Sequence, residues 1–135
     1  MANALYDKGR EGFLAGDIDW DANTITMIGM DHTDDTPVVA TDEDLADLLA
    51  AGRVGEWTPF ASKTVVAGVA DAADITDTAV TGDAFDSLTI LQDTGTESTS
   101  RLIAYIDDAT GLPCTPNGGD ITVAFDAGAN KIFKL

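Results

Sequence analysis

The sequence predicts a mainly β fold: one β-sandwich or jelly-roll-like domain over residues 1–135, with one or two short helices. Short segments rich in Val, Ile, Thr and aromatic residues recur through the second half of the chain, and clusters of Gly, Asn, Asp and Thr separate them. A length of 135 residues is also typical of a single domain with one core. The strand-like segments are residues 53–57, 64–69, 75–80, 87–91, 101–106, 121–125 and 131–135.

An N-terminal arm or short helix is predicted over about residues 3–15. Asn3 is a residue type that caps helices, and Tyr6 and Phe13 fall on one side at helical spacing. Gly16 is the expected end of this helix, because glycine adopts the left-handed conformation that closes many helices.

An early hairpin, or one bent strand, is predicted next. Residues 17–21 alternate polar and apolar side chains, residues 24–30 are rich in β-forming types, and residues 21–23 supply a turn. Residues 31–37 then form a polar loop.

A second helix is predicted between Thr41 and Gly52. Thr41 is a suitable N-cap, Asp44 stands where a capping box places an acid, and Gly52 supplies the stop. An apolar stripe at helical spacing consists of Leu45, Leu48 and Leu49. We expect this stripe to pack on the core of its own domain, and docking on a partner is the alternative.

Charge limits the function. The chain has 24 acidic and 7 basic residues, a formal net charge of −17. Such a field repels phosphate, so we expect no binding to nucleic acid. It also opposes self-association unless salt screens it or apolar contacts outweigh it. The acidity suits either a saline environment or the outside of a large assembly, and composition does not separate the two.

Membrane association is not expected, because no apolar run approaches the roughly 20 residues that a spanning helix needs. The N-terminus lacks the basic and apolar regions of a secretion signal, so we expect the protein to stay in the compartment where it is made.

Catalytic motifs are absent from the sequence. There is no phosphate-binding glycine loop, no dinucleotide fingerprint and no nucleophile elbow. His32 has no second histidine to complete a zinc site, and Cys114 is the single cysteine. We therefore predict no enzymatic activity, no catalytic residue and no cofactor.

A metal site is not predicted either. Asp17, Asp19 and Asp21 have the spacing that opens a calcium loop, but Ala22 replaces the required glycine and Ile28 replaces the terminal glutamate. Alternate acids on one solvent-facing side of a strand explain the spacing, with weak cation binding as the alternative.

Both ends of the chain resemble small virion structural proteins of tailed bacteriophages. The resemblance lies in ANALYDKGREGFLAGDIDW (residues 2–20), in GLPCTPNGGDITV (residues 111–123) and in NKIFKL (residues 130–135). It implies a head decoration, or cement, protein that sits on the capsid exterior as a homo-oligomer, with a trimer favoured, and clamps neighbouring major capsid subunits. Such a protein is made in the host cytoplasm. A tail tube, fibre or baseplate component is the runner-up, and a small calcium- or glycan-binding module is a more distant alternative.

The assembly contacts are expected at the chain ends. Four of the seven basic residues lie there among apolar ones, where a like-charged partner can approach with least repulsion. The predicted contact residues are Leu5, Tyr6, Lys8, Arg10, Phe13, Lys131, Ile132, Phe133, Lys134 and Leu135. The final strand is expected either to pair with a neighbour's sheet edge or to complete its own sheet.

Overall fold

A computed structural model describes residues 3–135 and shows ten strands and one α-helix within them. The helix α1 spans Asp7–Ala15. The strands are β1 (Ala4–Leu5), β2 (Ile25–Met30), β3 (Arg53–Val54), β4 (Thr64–Val66), β5 (Val69–Asp71), β6 (Ile75–Asp77), β7 (Ser87–Gln92), β8 (Leu102–Ile106), β9 (Ile121–Val123) and β10 (Phe133–Lys134).

The strands form three antiparallel sheets, which confirms the predicted mainly β fold. The largest sheet has the order β1-β8-β7-β2-β3. A three-stranded sheet has the order β10-β5-β4, and β6 pairs with β9 in a third. The chain ends therefore belong to different sheets, because β1 is an edge of the first sheet and β10 is an edge of the second.

The main core lies between the five-stranded sheet and the two smaller sheets. Leu88 and Ile90 project into it from β7, and Ile75 and Ala70 contribute from the smaller sheets. A second cluster covers the other face of the large sheet. Its buried members are Tyr6, Met30, Leu48, Leu91, Leu102 and Tyr105. Alternate side chains of a strand point to opposite faces, so the central strand β7 is buried on both sides.

The N-terminal helix is present and ends as predicted. Gly16 has φ +80°, and its N–H donates to the Phe13 carbonyl oxygen at 3.2 Å. Asn3 is not the N-cap, which is an error of the sequence prediction. Its side-chain oxygen instead accepts hydrogen bonds from the backbone N–H groups of Asp107 and Asp108, and so ties β1 to the end of β8. No helix within residues 3–135 has the length and apolar character to cross a membrane.

The second predicted helix is wrong. Two short 3₁₀ turns, Leu45–Asp47 and Ala50–Gly52, take its place. Asp44, not Thr41, caps the first turn, and Asp47 completes the capping box. The turn stops because Leu48 is extended, with φ −92° and ψ 119°.

The apolar stripe of the predicted second helix is accordingly split. Leu48 is buried in the second core cluster and Leu45 packs against that cluster, whereas the side chain of Leu49 is 58% exposed. The expected packing on the domain's own core therefore holds for two of the three leucines. The carbonyl oxygens of Leu45 and Leu48 accept hydrogen bonds from the Arg53 guanidinium group at 2.7 and 2.6 Å, which satisfies acceptors that a longer helix would have used.

Two strand predictions need correction. Residues 17–21 form no strand, because the chain turns back on itself where the Asn23 N–H donates to the Asp19 carbonyl oxygen at 2.9 Å. Residues 64–69 are not one strand, because a turn at Ala67 and Gly68 divides them into the β4–β5 hairpin. Both turn residues have positive φ values, +53° and +78°.

The final strand completes a sheet of its own chain on one side. Phe133 and Lys134 pair with Ala70 and Val69 of β5. The other side of β10 pairs with no strand among the described residues.

Candidate functional site

A cleft opens between the five-stranded sheet and the two smaller sheets, and residues from both ends of the described chain line it. Its volume is about 450 Å³. One wall is apolar surface of the large sheet, from Leu5, Leu88 and Ile106, and the opposite wall includes Phe125 and Ile132. The cleft is thus an opening into the space between two layers of the fold.

The charge at this cleft differs from the rest of the surface. Arg10, Lys131 and Lys134 line it, together with Asp108 and Asp126. Four other clefts of the described surface are each lined by more acidic than basic residues. We call the first one the basic cleft, because it brings together three of the seven basic residues of a chain with net charge −17.

The cations of the basic cleft are only weakly engaged. Arg10 Nη1 lies 3.1 Å from Asp7 Oδ1, and Lys131 Nζ lies 3.8 Å from Asp71 Oδ2. The Arg10–Asp7 pair is exposed and the Lys131–Asp71 pair is half-buried but long, and exposed pairs of this kind contribute about 0–1 kcal/mol. Within residues 3–135, Lys134 has no ion pair at 4.0 Å or less. These groups are therefore available to an anionic partner.

Two open sheet edges border the basic cleft. The Tyr6 N–H donates to the Ile103 carbonyl oxygen, so the alternation of an antiparallel ladder turns the backbone groups of Leu5 away from β8. The Leu135 N–H donates to the Gly68 carbonyl oxygen, and by the same alternation the backbone groups of Lys134 face away from β5. Each residue therefore has a backbone donor and acceptor that its own sheet does not use; Lys134 is exposed, whereas Leu5 is 9% exposed.

The structure divides the ten predicted contact residues among several places. Those lining the basic cleft are Leu5, Arg10, Lys131, Ile132, Phe133 and Lys134. Phe13 and Leu135 lie in a separate groove of about 390 Å³, which we call the apolar groove, with Val65 and with Phe133, a residue shared by both openings. Lys8 lies in neither opening and pairs with Glu11 at 2.9 Å.

Tyr6 is not placed where a partner can reach it. Its side chain is fully buried in the second core cluster, and its hydroxyl group lies 2.8 Å from Thr89 Oγ1. Burial raises the pKa of the Tyr6 hydroxyl group well above its usual value of 10.0. Of the predicted contacts, this residue has a structural role within the chain.

The walls of the basic cleft include residues that sequence reasoning did not select. Leu88, Ile106 and Phe125 come from the middle of the chain or from strands assigned to the core. Their alternating pattern identifies them as inward-facing, but the pattern does not distinguish a filled interior from an open one.

No protein-family model matches this chain, and no curated protein matches it.

One arrangement contains the atoms of a nucleophile and a base. His32 Nε2 lies 2.8 Å from Ser87 Oγ, and the His32 ring stacks on Tyr105 with centroids 6.2 Å apart. Ser87 is 0% exposed, however, so a substrate carbonyl group has no approach to its hydroxyl oxygen. The contact joins the loop after β2 to the strands beneath it.

Asp17, Asp19 and Asp21, which have the spacing of a calcium loop, do not form a cluster of metal-binding side chains. Within residues 3–135, the one group of three metal-binding side chains with ligand atoms within 4.8 Å of each other is Asp31, Asp34 and Asp83, and it includes none of residues 17–21. Asp31 Oδ1 already accepts a hydrogen bond from the Thr33 N–H at 2.8 Å. Asp19 is held in its turn, because its Oδ1 accepts a hydrogen bond from the Ala22 N–H at 3.2 Å.

Proposed function

We propose that this chain is a non-enzymatic structural protein of a tailed-phage particle, and within that class a head decoration or cement protein. The resemblance of residues 2–20, 111–123 and 130–135 to such virion proteins supports this function. The observation that carries the proposal is the basic cleft, because it unites those chain ends with open sheet edges and with cations that are scarce elsewhere.

The major capsid protein is the proposed partner. A shell that holds compressed DNA pushes its subunits apart, so a stabilising clip must bind more than one of them. Contact through the basic cleft buries apolar surface, which supplies the affinity, while the cations reduce repulsion of an acidic partner. The remaining acidic surface faces solvent on the capsid exterior and limits aggregation of particles.

A trimer is proposed as the oligomeric form, with the apolar groove as its contact. Exposed Val65 and Leu135 lie at this groove beside Phe13, and exposed apolar groups of this kind favour association. Asp19 and Asp21 also line the groove and oppose contact between copies. Salt is therefore expected to increase the trimer fraction, because it screens the repulsion and leaves the apolar contact.

Charge reversal tests the proposal. Arg10→Glu and Lys134→Glu place acids in the basic cleft, whereas Lys8→Glu changes the same net charge outside it. Each variant is added to particles that lack the protein, and its occupancy is measured after sedimentation. We expect the cleft variants to bind on the order of tenfold more weakly and Lys8→Glu to bind nearly like the parent. Circular dichroism of each variant controls for folding.

Equal occupancy by all three variants would exclude the basic cleft as the contact. Imaging of the intact particle at side-chain resolution then decides the location: density on the head supports decoration, density on the tail supports the runner-up function, and absence from the particle overturns both. Removal of residues 132–135 is a poor test, because the Phe133 ring packs 5.2 Å from Trp20 and its loss damages the core.

A further inference from the structure

The basic cleft has three properties that together describe its occupant: an apolar interior, cations on its lining and open backbone edges on β1 and β10. We infer that it receives an extended segment of the partner subunit, in which apolar residues alternate with Asp or Glu. This inference rests on the proposed function and adds to it the chemistry and conformation of the bound partner.

The open edges indicate the conformation of the occupant. Leu5 of β1 and Lys134 of β10 direct backbone groups away from their own sheets, and both residues line the cleft. A strand is the form of peptide that satisfies such edges, because it presents donors and acceptors along each side. A segment lying here pairs with one edge or bridges both, and so joins the two sheets.

The walls indicate the side chains that face inward. Leu5, Leu88, Ile106, Phe125 and Ile132 line the cleft with apolar groups. Successive side chains of a strand point to opposite sides, so every second residue of the occupant enters this apolar space. A volume of about 450 Å³ is within the range of clefts that bind small ligands or side-chain anchors.

The cations indicate the side chains that face outward. Arg10, Lys131 and Lys134 line the same cleft; Arg10 has an exposed ion pair with Asp7, and Lys131 lies 3.8 Å from the half-buried Asp71 carboxylate. The alternate residues of a bound strand point away from the apolar walls and toward these groups. Three cations outnumber the two carboxylates of the lining, Asp108 and Asp126, so a carboxylate at those positions is favoured over Lys or Arg.

A peptide-binding measurement on the free chain tests the inference. The probe is a blocked five-residue peptide that alternates Val and Glu, and the control peptide alternates Val and Lys. Amide signals of the ¹⁵N-labelled protein are followed by NMR during titration. We expect the acidic peptide to shift the Leu5 and Lys134 signals with an affinity on the order of millimolar, because a short flexible peptide loses entropy on binding. We expect the basic peptide to shift these two signals less than the acidic peptide does.

Two variants of one residue separate charge from backbone pairing. Lys134→Gln removes only the charge, whereas Lys134→Pro also removes an N–H that its own sheet does not use. We expect Lys134→Pro to bind the acidic peptide roughly 3- to 10-fold more weakly than Lys134→Gln. If the proline variant does not fold, Lys134→Glu still tests the inference. This surface change is expected to abolish the amide shifts that the acidic peptide causes.

The outcomes separate this inference from the proposed function. No shift with the acidic peptide, equal shifts with both peptides, or shifts confined to other surfaces would overturn the inference. If those results occur while Arg10→Glu still lowers particle occupancy, the inference fails alone. If the peptide binds as expected but imaging finds the protein absent from the particle, the proposed function fails.

Discussion

Tyr105 is a buried residue of the second core cluster, and its ionisation makes the stability of the fold depend on pH. Tyr105 is 1% exposed. Its hydroxyl group donates a hydrogen bond to Asp107 Oδ2 at 3.2 Å. Burial, and then the negative charge of Asp107, raises the pKa of Tyr105 from 10.0 to about 12. The neutral form is therefore the one that the fold accommodates.

We predict that alkali destabilises the protein through this residue. Below pH 10 both the folded and the unfolded chain keep the Tyr105 proton, so its contribution is complete. Between pH 10 and about 12 the unfolded chain loses the proton first, and the free energy of unfolding falls by up to roughly 3 kcal/mol. Urea unfolding across this range measures the fall.

Tyr105→Phe is the matched variant, because it removes the titrating group and keeps the ring. Its free energy of unfolding should decline less steeply over the same pH range, with Tyr6 still contributing in the same direction. Identical slopes for parent and variant would show that Tyr105 does not titrate differently in the folded state.

The elements of the fold show which sequence signals were sufficient. Gly16 ends α1 as predicted because the signal is local: a glycine directly after the last turn. The helix predicted between Thr41 and Gly52 is wrong because its leucine stripe is also compatible with two 3₁₀ turns. Arg53 favours the turns, because its guanidinium group binds the carbonyl oxygens of both Leu45 and Leu48. Such a contact depends on tertiary structure and leaves no pattern in the segment itself.

The packing of α1 on β8 gives a prediction for glycine. A Cβ atom at Gly9 would lie 2.5 Å from the Leu102 carbonyl oxygen and 3.0 Å from Ile103 Cα. Alanine favours a helix by about 1 kcal/mol over glycine, but here it meets backbone that cannot move aside. We expect Gly9→Ala to lower the free energy of unfolding by roughly 1–3 kcal/mol, as measured by thermal or urea denaturation.

Gly12→Ala is the control within the same helix. Its Cβ atom would lie 2.7 Å from Ile18 Cδ1, which is a side-chain atom and not backbone. A smaller loss of stability is expected. If Gly9→Ala were as stable as the parent, α1 could not pack as close to β8 as the 2.5 Å separation from the Leu102 carbonyl oxygen requires.

At the scale of the whole molecule, the excess of negative charge is the dominant feature. With 24 acidic and 7 basic residues, the folded chain repels itself, and screening relieves that repulsion. We predict that the melting temperature rises by roughly 5 °C between about 0.01 and 0.5 M NaCl. Differential scanning calorimetry measures it, and sucrose at equal osmolarity is the uncharged control.

Salt is expected to act oppositely on binding at the basic cleft. Added NaCl weakens attraction between the cleft cations and an acidic segment, so peptide affinity should fall over the range in which stability rises.

A melting temperature that does not respond to salt would indicate that the acids are already spaced widely enough for water to screen them.

The basic cleft also shows what sequence alone reaches at this scale. The scarcity of basic residues and their position at the chain ends predict a shared role for Lys131, Lys134 and Arg10, and all three line one cleft. Their meeting depends on β1 joining β8 and β10 joining β5, which are pairings between distant parts of the chain. Hydrophobic alternation identifies strands and their buried faces but not which strands become neighbours, so the cleft could not be predicted from the sequence.

The position of the loop between β7 and β8 has a practical consequence for locating the protein by microscopy. Probes attached next to Ala4 or Leu135 would crowd the mouth of the basic cleft or the apolar groove and would disturb the contacts under study. Ser98 is exposed in that loop, near the end of β8 that begins with Leu102, whereas Ile106 at the other end lines the cleft. A maleimide dye or gold cluster on Ser98→Cys, with Cys114→Ser to remove the other thiol, would report copy number and position from a residue that lines neither opening.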